Sequence, residues 1–256
     1  MATYKKRGHK PKTKEEKKAA IEQESTTAEV FNTLDERASK TEEWVSKNQK
    51  YIFILIGAVS VVVLGYLAYN QYIVKPKELE ASNEMYQAQV YWEQALNAPQ
   101  KDSLFNLALN GGQGKYGFLD IIDNYSGTDA ANISRYYAGI AYMNTKNYRE
   151  AIDQLDKFKP KDEMLGPIAK GNIGDAFVQL GQNEDALKYY KEAASLNENE
   201  FTSPKYLLKA ALVALDLKNA KEALTHLNKI KTDFPESPEA NQVDVYLGQA
   251  QAMSQN

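Results

Sequence analysis

GNIGDAFVQLGQNEDALKYYKEAASL, Gly171 to Leu196, decides the fold. Small and apolar side chains return at helical spacing on both sides of Gly181, which predicts two helices. Gly181 falls where the chain reverses, a position whose unusual backbone dihedral costs glycine little. Gly174 in the first helix stands twelve residues before Ala186 in the second. A small residue facing an early alanine lets two helix backbones approach closely while larger neighbours fill the groove between them.

The same twelve-residue spacing recurs in Gly139 with Ala151 and in Ala211 with Ala223, and successive pairs are 35 and 37 residues apart. That repeat length is close to the 34-residue tetratricopeptide period. RYYAGIAYMNTKNYREAIDQLDKF, Arg135 to Phe158, adds Tyr142, Tyr148, Leu155 and Phe158 as framework residues, with Asn147 at the turn. YLLKAALVALDLKNAKEALTHLNKIKTDFPES, Tyr206 to Ser237, adds Ala214, Ala220, Leu227 and Ile230 before Phe234-Pro235 closes the unit. One hairpin alone leaves an apolar face uncovered, and stacking the next hairpin on it completes the core. Residues 131–256 are therefore expected to hold tetratricopeptide-type repeats, with a capping helix from Glu239 to Met253. Residues 76–130 are expected to form a degenerate first hairpin region, in which helices from Leu79 and Tyr116 pair across an insertion.

Upstream the pattern changes. YIFILIGAVSVVVLGYLAY, Tyr51 to Tyr69, is nineteen residues without a charge. At about 1.5 Å per residue it is long enough to cross a hydrocarbon core, and a helix satisfies its own backbone there. The chain thus divides into a basic cytoplasmic tail without stable order at 1–26, a juxtamembrane segment at 27–50 and a transmembrane helix at 51–73. The tail carries Lys5, Lys6, Arg7, Lys10, Lys12, Lys14, Lys17 and Lys18 and too few apolar groups to offset its ordering entropy. In 27–50, Ala28, Phe31, Leu34, Ala38, Trp44 and Val45 fit an amphipathic helix on the inner leaflet and equally fit an extension of the spanning helix. Arg37, Lys40, Lys47 and Lys50 precede the span and only Lys75 and Lys77 follow closely, which places the N-terminus in the cytoplasm. The expected fold class is all-α: a single N-terminal transmembrane helix, then a tetratricopeptide-repeat solenoid with a C-terminal capping helix.

Several chemistries find no residues to carry them. From Glu78 onward there are 17 basic and 25 acidic side chains, a net charge of −8, opposite to the basic surface that binds nucleic acid. Cysteine is absent, and with it any thiol nucleophile or thiolate metal site. The two histidines, His9 and His226, are far apart and form no zinc motif. Gly111-Gly112-Gln113-Gly114-Lys115 lacks the spacing and the following Ser or Thr of a phosphate loop. Glu184-Asp185 and Asp162-Glu163 fit helix starts, where acids complement exposed N–H groups. No catalytic, cofactor or metal residue is assigned, and the chain is expected not to be an enzyme.

Repeat geometry instead directs a set of side chains toward an inner groove. These are Ile133, Tyr136, Ile140 and Met143 in the first clear repeat. Ile168, Asp175, Val178 and Gln179 follow in the second, and Leu208, Leu212, Leu215 and Asp216 in the third. The face is apolar with scattered acids, suited to a protein segment that buries hydrophobic side chains. It has too few bases to clamp a terminal carboxylate.

Over essentially its whole length the chain resembles the YfgM-like family of membrane-anchored tetratricopeptide proteins of the bacterial envelope. The resemblance rests on AEVFNTLDERASKTEEWVSKNQKY before a single apolar span, a helix directly after it, and GIAYMNTKNYREAI, GDAFVQLGQNEDAL and ALVALDLKNAKEAL. It implies an inner-membrane protein with a periplasmic repeat domain. The implied partners are the SecYEG translocon, a membrane-anchored periplasmic prolyl isomerase-like chaperone, exported protein clients and the lipid bilayer. An envelope scaffold for outer-membrane or cell-wall machinery is the alternative reading. The basic tail and the glycine-rich insertion at Gly111 to Gly114 depart from the family pattern.

Overall fold

The computed structural model describes residues 13–99 and 101–255, all in helices and connecting turns apart from one isolated backbone bridge. The chain separates into two units, 1–69 and 70–256.

In the first unit a single helix, α1, runs Lys14–Tyr69. Residues 14–26, expected to lack order, are thus helical, and the juxtamembrane segment is an extension of the apolar helix and not a separate element. Long runs of Lys, Glu, Ala and Gln before Ser25 favour that continuation, since these are strong helix formers. The basic positions Lys5 to Lys12 lie outside the described residues, as do the side chains of Ala28, Phe31, Leu34 and Ala38. Trp44 and Val45 are exposed. An 18-residue window of mean hydropathy 2.4 lies within helical residues 41–97, long and apolar enough to cross a membrane, and none of it is buried inside the protein.

The second unit opens with a π-helical turn, Asn70–Val74, and continues with ten α-helices among the described residues. These are α2 (Lys75–Asn97), α3 (Lys101–Asn110), α4 (Phe118–Asn124), α5 (Asp129–Asn144), α6 (Tyr148–Lys157), α7 (Leu165–Gln179), α8 (Asn183–Ser195), α9 (Thr202–Asp216), α10 (Ala220–Asp233) and α11 (Ala240–Ser254). From α5 on, each packs against its successor, forming hairpins α5/α6, α7/α8 and α9/α10 with α11 covering the last. This is an all-α solenoid of stacked helix pairs.

The small residues sit at the contacts. A Cβ on Gly139 would come 2.5 Å from Leu155 Cγ and 3.3 Å from the Ala151 carbonyl oxygen, and one on Gly174 would come 2.6 Å from the Tyr190 ring. Ala211 and Ala223 are fully buried in one cluster with Leu227, Ile230 and Val243.

One turn is built three times. After α5, α7 and α9 the chain places Lys146, Gly181 and Lys218 at φ 63°, 72° and 58°. Following each, Asn147, Gln182 and Asn219 donate backbone N–H groups to the carbonyls of Tyr142, Phe177 and Ala214 at 2.9, 2.9 and 2.8 Å. The left-handed residues themselves donate to Met143, Val178 and Leu215. This is the Schellman pattern, which satisfies carbonyls left open at a helix end. Asn147, Gln182 and Asn219 then accept the N–H of Ala151, Ala186 and Ala223, so each alanine of the repeat starts from a fixed point.

The pairing of the early helices differs from that expected. α2 lies against α3, the segment taken as insertion, and α4 lies mainly on α5. The cause is aromatic: Trp92 of α2 sits edge-on to Phe105 of α3 at 5.3 Å and to Tyr137 of α5 at 5.2 Å, while Phe118 of α4 stacks on Tyr137. Such pairs contribute about 0.5–1.5 kcal/mol each beyond area burial. The glycine-rich segment closes on itself, Gly112 and Lys115 exchanging both backbone hydrogen bonds. A Cβ on Gly111 would come 2.1 Å from the Lys115 carbonyl oxygen, so tight closure explains the glycine there.

Candidate functional site

The expected groove residues divide by burial. Ile133, Tyr136 and Ile140 of α5 are half-buried against Leu155, Phe158, Ala169 and Ile173, where they act as packing residues. Leu208 and Leu215 of α9 are buried in the cluster around Leu227, with Leu212 packed on it. Ile168 is half-buried and Asp216 is exposed. The remaining four converge: Met143, Asp175, Val178 and Gln179 line one pocket of about 380 Å³, together with Tyr148 and Tyr190.

Asp175 organises the pocket. Its Oδ1 accepts the Tyr190 hydroxyl at 2.5 Å and the Lys209 ammonium at 2.5 Å, while Oδ2 accepts Lys209 again at 2.7 Å. Asp175 and Lys209 each keep about a third of their side-chain surface exposed. Water screens a pair so placed, and its main effect is to hold the carboxylate and α9 in register with α7. Burial pushes the Tyr190 hydroxyl well above the usual phenol range, reinforced by its hydrogen bond to Asp175, and burial does the same for Tyr206. Both phenols stay protonated donors at neutral pH.

Helix packing fixes these rings. Tyr190 stacks on Tyr206 at 6.4 Å. A Cβ on Gly171 would come 1.9 Å from the Tyr206 ring. Glycines at 171 and 174 thus provide the room in which the two tyrosines lie flat beneath the groove. On the other wall the Tyr148 hydroxyl donates to Gln179 Oε1 at 3.4 Å. Met143 and the exposed Val178 leave apolar surface at the mouth.

Sequence reasoning placed Tyr148 and Tyr190 in the framework alone and passed over Lys209. The available signal was charge: Asp175 and Lys209 are opposite in sign and stand 34 residues apart on the first helices of consecutive repeats. Asp162 caps α7, its Oδ1 accepting the N–H of Met164 and Leu165 at 2.8 and 2.7 Å, and Glu184 and Asp185 occupy the first turn of α8. These acids complement helix starts. Among the described residues no group of three or more His, Asp or Glu side chains is placed to hold a metal ion.

Residues 172–238 match the tetratricopeptide repeat family model. That stretch begins inside α7 and ends after α10, so it covers the turns within the α7/α8 and α9/α10 hairpins and the connection between them. The chain is also similar in fold to a crystal structure of nearly identical TPR-like repeats from a Podosopora anserina protein assigned as a kinesin light chain. The two share 13% identity with a TM-score of 0.51, over 68% of this chain and 87% of that one. No curated protein matches the chain. At this identity the likeness concerns the fold alone, a stack of paired helices.

Proposed function

We propose that this chain is a membrane-anchored protein-binding solenoid whose pocket at Met143, Asp175, Val178 and Gln179 engages a segment of a partner protein. The observation that carries the reading is the pocket's composition. Apolar surface from Met143 and Val178 borders hydrogen-bonding groups that packing already holds in place. A docking segment would bury apolar side chains at roughly 25 cal/mol per Å² without ordering the site first.

The apolar run from Tyr51 to Tyr69 supports an anchor, and the flanking basic residues support a cytoplasmic N-terminus with the repeats in the periplasm. The resemblance to the YfgM-like family then gives the partners: the SecYEG translocon, a prolyl isomerase-like chaperone, and exported clients. Confinement of both components to one bilayer raises effective concentration, so modest affinity suffices.

Two experiments test this. Tags before Lys5 and after Asn256 are probed with protease in spheroplasts, where the C-terminal tag is expected to be cleaved and the N-terminal one protected; the reverse pattern overturns the orientation. A photo-crosslinking residue at the exposed Val178 is expected to capture a translocon subunit, chaperone or exported protein, and one at the buried Leu215 is not. Capture of outer-membrane or cell-wall assembly components alone would establish the envelope-scaffold reading. Equal capture from both positions would dismiss the pocket.

A further inference from the structure

A second pocket, of about 590 Å³, lies between the Ser126–Asp129 turn and the Lys157–Lys161 segment, and its charge runs against that of the domain. Four bases line it, Arg135, Lys157, Lys159 and Lys161, against two carboxylates, Asp129 and Asp156. The sequence from Glu78 onward has a net charge of −8, so this local excess of positive charge is not a sample of the average surface. Nor do its carboxylates neutralise it fully. Asp129 pairs with Lys161, Asp156 pairs with Lys170 from outside the pocket at 3.3 Å, and Lys157 turns to Asp153. Among the described residues Arg135 meets only the uncharged Gln154 Oε1, at 3.3 Å, and Lys159 has no carboxylate partner.

The pocket is held in shape. Asn132 grips the backbone of Lys159 from both sides, accepting its N–H at 2.9 Å and donating to its carbonyl at 2.7 Å. The N-terminal N–H groups of α5 are already engaged, Asp129 and Ala130 by Glu78 at 2.6 and 2.9 Å and Ala131 by Thr128 at 3.0 Å. Attraction for an anion therefore comes from the guanidinium and ammonium groups and not from the helix end.

What delivers the anion follows from the chain's path. Lys77 donates to the Ser126 carbonyl oxygen at 3.1 Å, which ties the start of α2 to the pocket wall. Lys77 stands eight residues after Tyr69, the last residue of the apolar run, and eight residues of chain reach no further than about 29 Å. If the run spans a bilayer, the pocket wall at Ser126 is joined to the membrane through this short stretch of chain.

We infer that the Arg135–Lys159 pocket binds the phosphate of an anionic phospholipid headgroup. The source of the ligand rests on the anchor reading above; the phosphate chemistry does not. Guanidinium and ammonium groups recognise phosphate oxygens by charge-assisted hydrogen bonds.

The chain has no cysteine, so Ser126→Cys, at an exposed position on the pocket's wall, gives a single labelling point that reports on its occupancy. The full chain carrying a fluorophore there is placed in phosphatidylcholine nanodiscs and titrated with water-soluble short-chain phosphatidylglycerol. A saturable change is expected with phosphatidylglycerol and none with short-chain phosphatidylcholine. Lys159→Gln and Arg135→Gln are each expected to weaken it by about fivefold, while Lys188→Gln on α8, outside the pocket, leaves it unchanged. No response to phosphatidylglycerol, or an equal one to phosphatidylcholine, overturns the inference. So does tighter binding of inorganic phosphate or of a polyglutamate peptide, which would make the ligand a soluble anion or a protein. A chain that binds phosphatidylglycerol but shows the reversed protease pattern loses the periplasmic orientation alone; one that spans but ignores phosphatidylglycerol loses the headgroup site alone.

Discussion

Gly171 and Tyr206 show how single positions carry the site. A methyl group at 171 would enter the Tyr206 ring, which is only 2% exposed and stacked on Tyr190. The ring has nowhere to go. Alanine ordinarily gains about 1 kcal/mol over glycine inside a helix, yet overpacking of this kind costs about 1–3 kcal/mol. Gly171→Ala is expected to be destabilising on balance and to lower the thermal midpoint measured by circular dichroism in detergent. An unchanged or raised midpoint would mean the ring is not confined. Gly174, with its partner alanine twelve residues on, was legible in the sequence because the spacing recurs three times. Gly171 was not, because the side chain that needs its space belongs to the next repeat, 35 residues away. A separation of 34 residues likewise hid the Asp175–Lys209 pair.

Elements α5, α7 and α9 end in one turn geometry, but only the middle copy has glycine at the left-handed position. The sequence announced Gly181; it gave no sign that Lys146 and Lys218 adopt the same conformation, since their side chains are ordinary helix formers. Their backbone is dictated by the hydrogen bonds that close each helix. A non-glycine residue in the left-handed region costs about 1–2 kcal/mol, partly offset by glycine's greater freedom when unfolded. Lys218→Gly is expected to stabilise the protein by about 0.5–1 kcal/mol, and Gly181→Ala to destabilise it by about 1 kcal/mol. Thermal melts of the two variants check both signs together. Within α10, His226 is buried, and its Nε2 has no hydrogen-bond partner, with Glu222 Oε1 3.8 Å away. Burial pushes the imidazole pKa below its ordinary 6.5, although Glu222 pulls it up. The unfolded chain therefore takes up the proton first, so stability is full above 6.5 and declines as the pH falls from 6.5 toward the folded value. Glu222, held below the usual 4.5 by its hydrogen bond to Lys191, gives up its own contribution only at lower pH. Melting temperature is expected to hold above about pH 6.5 and to drop as the pH falls below it, and His226→Gln to flatten that decline. An identical slope in the variant would place the titration elsewhere.

Across the whole molecule, periodicity made the solenoid and the apolar run readable, because both depend on side chains close together along the chain. The early helices were harder. Trp92, Phe105, Phe118 and Tyr137 come from four helices and follow no repeat, so the partner of α2 was decided by an aromatic cluster that spacing does not encode. Even there the contacts remain local: in the second unit each helix meets those one or two places along the chain, with α2 on α5 the longest link. Chains with mostly local contacts fold quickly, since little loop entropy is lost before a contact forms. A domain so wired does not need its last residues to begin folding. Each hairpin finds its supporting surface in the hairpin that emerged just before it, so order can spread from the α2–α5 end toward α11 at the pace of synthesis.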